Sequence, residues 1–279
     1  MYFKIVEGVG LEGESEWIQR GLNMCYGFNH EEAIYCFKKE LDTNPDSGVA
    51  YWGLAFASGT NYNNPFMSPE QNRYCHDCAV KALERSKNCS PLVRELILAI
   101  QTRYEKEFTG ARKSLEESYA DAMRKVFVQF PDDVNAVVLC AEALMNIYPW
   151  KLWVDGKATS PVTGEVQMIL EKAVEQFPDH PAPAHLYIHL MELSSEPEKA
   201  LKACKTLSKL DCDFGHFYHM PSHIYQLLGM YEKSVEVNRR GIIADEIYYE
   251  ARGGNNFYTL YRLHNCNLPV LSCALMLSL

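Results

Sequence analysis

The sequence predicts an all-α protein, a right-handed solenoid of consecutive helix–turn–helix repeats. Three observations lead to this prediction: large and small residues recur at the spacing of a 34-residue repeat, proline follows several predicted second helices, and short turns separate the helices. The short turns come too often for the long, uninterrupted helices of a coiled coil. Because a repeat array can grow without dividing into globular domains, we expect 1–279 to form one unit.

The clearest repeat lies near the start of the chain, where Trp17, Gly21, Ala33, Phe37 and Pro45 have the spacing of a tetratricopeptide repeat. Trp17 fills the gap between helices, and Gly21 lets the partner helix approach. Ala33 is small because the second helix crosses closely there, and Phe37 lies one turn further along the same face. Pro45 ends the second helix because proline cannot continue the hydrogen-bond ladder.

Later units keep only part of this pattern, and two stretches interrupt it. Pro131 and Pro178 again follow predicted second helices. The polar stretch 59–69 is predicted to be a loop after a first helix, and 149–164 a longer inserted loop that carries two tryptophans. The insertion either packs on its own aromatic residues or forms a lid over the concave groove of the array.

Composition excludes several classes of function. The formal net charge is −9 without a basic run, which excludes nucleic acid and anionic membrane surfaces as partners. The apolar stretch 268–279 is too short to span a bilayer, and the first residues lack the pattern of a secretory signal. Ten scattered cysteines indicate reduced thiols, so we expect a cytoplasmic protein. Motifs for nucleotide cofactors are missing from the sequence.

Histidines provide the strongest functional signal. His185 and His189 are four residues apart, as are His219 and His223, and each member of the second pair follows its counterpart by 34 residues. The pairs therefore occupy the same two positions in the first helices of successive repeats. In tetratricopeptide arrays these positions line the concave groove, and spacing of four puts both imidazoles on one helix face.

Further residues join this cluster in the repeat frame. His216 falls on the same face as the second pair, and Glu192 on that of the first. Glu142 occupies the position of His189 and His223 in the preceding repeat, and His264 would join if its helix folds back onto the groove. The helix that carries His219 and His223 is less certain because of Pro221. A proline inside this helix would kink it, or the helix would begin near Met220.

The residue types predict a metal site. A His-x-x-x-His pair on a helix can bind one ion, and imidazole-rich sites suit copper, iron or zinc rather than magnesium or calcium. His185, His189, His216, His219 and His223 are the predicted ligands, and six histidines including His264 would suffice for a dinuclear site. Two alternatives stay open: a hydrogen-bonding site for an anionic ligand or peptide, and a structural polar layer.

Four blocks of the chain resemble a group of poorly characterised tetratricopeptide-domain proteins of bacteria and eukaryotes. The resemblance covers 21–265, implies the solenoid and brings no particular reaction. In such proteins we expect a His-Asn-x-His segment where this chain has asparagine at position 267, so 266–279 is expected to be an atypical, truncated tail that could promote self-association. The blocks are Asn29-His30-Glu31-Glu32-Ala33, Ala50-Tyr51-Trp52-Gly53-Leu54-Ala55, the segment from His185 to Glu192, and His219-Met220-Pro221-Ser222-His223-Ile224.

Two functions follow from this sequence. The first is a metal-binding protein, and more specifically a metal-dependent oxidoreductase, in which Glu192 or Glu142 orients a ligand imidazole or acts as general base. The second is a scaffold without catalysis that holds a peptide or helix in the groove, as repeat proteins often do. In either case the partner is a small molecule or a peptide in the concave groove.

Overall fold

A computed structural model of the protein describes residues 3–7 and 9–278, with side chains described through Ala274. This part of the chain contains thirteen α-helices and one short antiparallel hairpin, which confirms the predicted all-α class. The helices are α1 (Glu16–Tyr26), α2 (His30–Thr43), α3 (Gly48–Ala57), α4 (Pro69–Glu84), α5 (Pro91–Ile100), α6 (Arg112–Gln129), α7 (Val134–Met145), α8 (Pro161–Gln176), α9 (Pro181–Met191), α10 (Leu201–Ser208), α11 (Gly215–Leu227), α12 (Tyr231–Arg252) and α13 (Tyr258–Ser278), and the strands are β1 (Trp153–Val154) and β2 (Lys157–Ala158).

Local sequence sets the ends of these helices. Ser15, Ser47 and Ser68 precede α1, α3 and α4, and each side-chain oxygen accepts a hydrogen bond from a backbone N–H in the first turn. Proline occupies the first turn of α4, α5, α8 and α9, where its missing N–H costs no hydrogen bond. Helices α2, α6 and α8 each end two residues before a proline, as predicted.

Each helix packs on its neighbours in sequence, and most odd-numbered helices also pack on the next odd-numbered helix. The odd-numbered helices α3, α7, α9 and α11 are almost entirely buried, whereas the even-numbered helices keep one exposed face. All eleven residues of α9 are buried. A polar side chain on these inner helices therefore lies inside the protein and needs a partner there.

The start of the chain packs against its later helices. Helix α1 contacts α9, and the backbone N–H of Asp213 donates to the carbonyl of Lys4 at 2.9 Å. The guanidinium of Arg252, at the end of α12, donates to the carboxylate of Glu32 on α2 at 2.7 Å. These contacts bring the turn between α1 and α2 over α9 and α11.

The two interrupting stretches are connections between helices. The loop 59–69 joins α3 to α4 as predicted, except that Pro69 already begins α4. The predicted limit of the insertion 149–164 was wrong at its end, because Ser160 and Pro161 start α8 and only the residues before them form the connection with its hairpin. In the predicted tail, 266–278 continues α13, and Leu279 lies outside the described residues.

Two further features concern the apolar character of the helices and the state of the cysteines. Within the described residues, each helix is either too short or too polar to cross a membrane. All ten cysteines of the sequence are free thiols, and eight of them are buried or partly buried.

The close packing of α1 and α3 against the ring of Phe37 on α2 leads to a prediction about stability. A methyl group added at Gly21 or Gly53 would lie 2.5 Å from Cε1 of Phe37, whose ring is fully buried. We expect Gly53→Ala to lower the free energy of unfolding by about 1–3 kcal/mol through overpacking. A methyl group added at Gly164, an exposed position of α8, would meet nothing within 4 Å. Gly164→Ala should therefore raise the free energy of unfolding by up to about 1 kcal/mol. Urea unfolding of both variants measures the difference, and equal effects would contradict this packing.

Candidate metal centre

Six histidines form two adjoining triads, one of them buried and the other reaching the surface. We call the first the inner triad, which consists of His185, His189 and His216. We call the second the outer triad, which consists of His219, His223 and His264. In each triad one ring nitrogen per residue lies within 4.8 Å of the others, a spacing at which the triad could hold a metal ion. The rings of His216 and His219 stack at 6.0 Å and connect the triads.

Both triads are built in the same way. Each takes a His-x-x-x-His pair from one helix, α9 or α11, and a single histidine from the next odd-numbered helix. Helix α11 continues through Pro221, so His216 and His219 both lie on it. The five histidines predicted to converge on a shared point are thus divided between two points, because His216 faces α9 whereas His219 and His223 face α13.

Close packing of α11, α12 and α13 positions the outer triad. A methyl group at Gly215 would collide with the carboxylate of Asp245, so only glycine permits this approach of α11 to α12. The same carboxylate accepts hydrogen bonds from the Tyr258 hydroxyl at 3.0 Å and from the Asn265 amide at 2.8 Å, both on α13. This arrangement puts the ring of His264 4.5 Å from that of His219.

Hydrogen bonds fix the orientation of two rings in the inner triad. Nδ1–H of His185 donates to the carbonyl oxygen of Tyr26 at 2.6 Å, and Nδ1–H of His189 donates to Oε1 of Glu192 at 2.8 Å. Since these acceptors have no proton to give, each Nδ1 carries a proton, and the neutral ring of His185 has its lone pair on Nε2. Nε2 of His185 is buried without a hydrogen-bond partner among the described residues. Nε2 of His189 lies 3.4 Å from Nε2 of His216.

The same logic applies to the outer triad. Nδ1–H of His219 donates to Oδ1 of Asn238 at 2.8 Å, an oxygen held in place because the amide group donates to the carbonyl of Ser234. Nδ1–H of His223 donates to Oε2 of Glu192 at 2.9 Å. The Nε2 atoms of His219 and His223 then face each other at 2.9 Å. Two lone pairs at this distance repel unless a proton or a metal ion lies between them.

Burial sets the charges of the centre. It lowers the pKa of His185, His216 and His219 well below the ordinary value for imidazole, and the neighbouring histidines lower it further, so these rings are neutral at pH 7. Burial alone would raise the pKa of Glu192, but His223 and His189 outweigh it and hold that pKa well below its usual range. The centre therefore combines three neutral, buried imidazoles with one ionised carboxylate.

Aromatic side chains from distant parts of the chain enclose the inner triad. The ring of Phe28, from the turn between α1 and α2, lies 4.5 Å from that of His185 and stacks on His189 at 5.3 Å. Tyr62 and Trp150, from the two interrupting stretches, lie 5.6 and 5.9 Å from His189. Sequence spacing does not assign these residues to the site, and the only signal for Tyr62 and Trp150 is that both stretches interrupt the repeat and carry aromatic residues.

The two predicted carboxylates have different surroundings. Glu192 ends α9 and accepts one hydrogen bond from each triad, through His189 and His223. Glu142 is buried on α7, and its charge interacts with Arg103 and the side chain of Asn146. Burial raises the pKa of Glu142 to about 7 despite Arg103. His264 joins the outer triad, as the sequence analysis allowed.

Comparisons with known proteins identify no relative. A scan against models of protein families found no match, and a search of curated proteins found no similar sequence. The resemblance to tetratricopeptide-domain proteins therefore stays a prediction from the sequence.

The raised pKa of Glu142 makes a prediction about pH. The folded state holds this proton more tightly than the unfolded chain, so the stability it provides is present below about pH 4.5 and lost as the pH rises through about 7. Glu142→Gln should match the wild type near pH 5 and exceed its free energy of unfolding by up to about 3 kcal/mol at pH 8. Urea unfolding at both pH values, with exposed Glu236→Gln as control, measures this; a difference independent of pH would contradict it.

Proposed function

We propose that the protein binds two transition-metal ions, one in each triad, and acts as a metal-dependent oxidoreductase. The observation that carries the proposal is the opposed pair of Nε2 atoms on His219 and His223, which lie 2.9 Å apart while the Nδ1 atom of each ring faces an oxygen acceptor. A metal ion between them removes the repulsion of the lone pairs and uses both as ligands. In the inner triad, Nε2 of His185 is buried without a hydrogen-bond partner in the described part of the chain, and a metal ion would use its lone pair as well.

Distances between the ring nitrogens support this proposal. At metal–nitrogen distances of about 2.0–2.1 Å, two ligand nitrogens are separated by roughly 2.9 Å when their angle at the metal is near 90° and by roughly 3.4 Å when it is tetrahedral. The pair in the outer triad is 2.9 Å apart and the pair in the inner triad 3.4 Å apart. Both values suit a shared ion.

The donor set favours copper among the three candidates. Both oxygens of Glu192 accept imidazole N–H groups, so this carboxylate orients His189 and His223 and is not free to complete a mixed histidine–carboxylate iron site. Nitrogen-only sites bind copper more tightly than zinc or iron in the general order of affinities. Two redox-active ions could exchange two electrons with a substrate, whereas zinc would only polarise water or a carbonyl group.

We also propose that the helices form tetratricopeptide-type repeats in a solenoid and that the protein is cytoplasmic. The repeat is supported by the 34-residue offset between the histidine pairs of α9 and α11 and by the contacts between successive odd-numbered helices. Ten free cysteines support a reducing compartment. The alternative function, a scaffold that holds a peptide through the histidines, is less favoured because the inner triad is at most 2% exposed.

Elemental analysis tests the metal centre. We expect about two ions per chain in the wild type, and about one in His189→Ala and in His264→Ala, because each substitution removes a ligand from a different triad. His76→Ala is the matched control, since this partly exposed histidine lies on α4 outside both triads.

The His264 variant is informative because this residue is exposed and its loss should leave folding intact. The proposal fails if purified wild-type protein, reconstituted with copper, iron and zinc in turn, binds less than half an equivalent of each. If the wild type binds one ion and neither variant binds any, the six histidines form one shared site instead of two.

Glu192 makes a second prediction. Glutamine at this position can accept one imidazole N–H, but its amide N–H₂ group would face the other, so one histidine must turn its Nε2–H toward the metal position. Glu192→Gln should weaken the binding of one ion by about 10–100-fold and leave the second ion bound. Competition with a coloured chelator measures both affinities. Exposed Glu196→Gln is the control, and wild-type affinities in Glu192→Gln would show that the carboxylate does not orient the ligands.

A further inference from the structure

A cavity of about 260 Å³ opens beside both triads, and we call it the aromatic cup. It is bounded by side chains from the loop after α3, from the connection before α8, from the residue just before α13 and from α13 itself. No lining residue among those described is acidic, lysine or arginine. The lining residues are Asn63, Trp150, Phe257, Leu260, Tyr261 and His264.

The aromatic cup touches the proposed metal centre at three places. The ring of Trp150 meets that of His189 edge-on at 5.9 Å, and the ring of Tyr261 lies 4.9 Å from that of His216, so two walls contact the inner triad. His264 is both a wall of the cup and a member of the outer triad. A molecule in the cup would therefore lie next to both metal positions.

The walls are held in place by contacts of their own. Trp150 has a positive φ of 60°, which is rare for a bulky residue, and its ring stacks on that of buried Tyr62 at 5.2 Å. The amide of Asn63 donates to the Tyr261 hydroxyl at 3.2 Å. Trp150, Phe257 and Leu260 nevertheless keep 42%, 45% and 57% of their surface exposed, which leaves apolar area to be covered.

Size and polarity define what fits. A dry cavity of about 150 Å³ can hold benzene, so the cup has room for one substituted ring. Its aromatic walls favour a flat ring, and its lack of charge disfavours ions. Oδ1 of Asn63, at the wall, is buried without a hydrogen-bond partner among the described residues, and a hydroxyl donor would satisfy it.

We propose that the aromatic cup binds a small uncharged phenol, with its ring against Trp150 and Phe257 and its hydroxyl group toward Oδ1 of Asn63. The proposal deepens the proposed function, on which its role as substrate site rests, because it names the class of substrate that reaches the metal centre. The binding itself depends on the walls of the cup, so it can be measured with and without metal.

Titration calorimetry with 4-methylphenol tests the cup, on the full chain both metal-free and metal-loaded. We expect a dissociation constant below about 1 mM, at least tenfold weaker binding of the charged 4-methylbenzoate to the metal-free chain, and tighter binding of the phenol after metal loading. Leu260→Glu should weaken phenol binding at least tenfold by placing a charge in the cup. Leu263→Glu is the matched control, because Leu263 is similarly exposed on α13 and does not line the cup.

The outcomes separate the two proposals. Equal loss of phenol binding in both leucine variants, or no phenol binding in protein that holds two ions, overturns the cup and leaves the metal centre standing. Phenol binding that is lost in Leu260→Glu alone, in protein that takes up no metal, supports the cup and overturns the metal centre. Trp150→Ala gives an independent check, with at least tenfold weaker binding expected from the lost wall.

Discussion

An imidazole that is buried and donates a proton through one nitrogen must satisfy the lone pair of its other nitrogen inside the protein, and the centre of this molecule is arranged around that constraint. The carbonyl of Tyr26, the amide of Asn238 and the carboxylate of Glu192 each take an Nδ1–H and turn the opposite nitrogen inward. Glu192 serves one ring in each triad, so a single buried charge ties the two sets of ligands together.

This arrangement depends on the way the start of the chain meets its later helices. The contact of α1 with α9 and the ion pair of Arg252 with Glu32 bring the turn after α1 over the inner triad. Without that contact, the face of α9 that carries His185 and His189 would be open to water. Stability of the whole protein and the environment of the inner triad are therefore expected to change together.

The class of fold and most of the candidate ligands could be predicted from the sequence because both depend on local spacing. His185 and His189 are one helical turn apart, and their counterparts follow at the repeat length, so the register alone places them on one face. The division into two triads could not be predicted, since it depends on the angles between α9, α11 and α13. Phe28, Tyr62 and Trp150 were missed because they reach the centre through turns and loops, whose paths follow from contacts between residues far apart in sequence.

The position of Phe28 has a consequence for how ions would enter. Its ring covers His185, His189 and His216 from one side, and its backbone has a φ of 58°, which a helix-to-helix turn of fixed shape imposes. An ion destined for the inner triad would have to arrive while the chain is still assembling, or wait for α1 to lift from α9. The outer triad, whose His264 is exposed, would exchange its ion freely with the surroundings. The two halves of one centre would thus differ in how readily an ion reaches them, even with the same type of ligand.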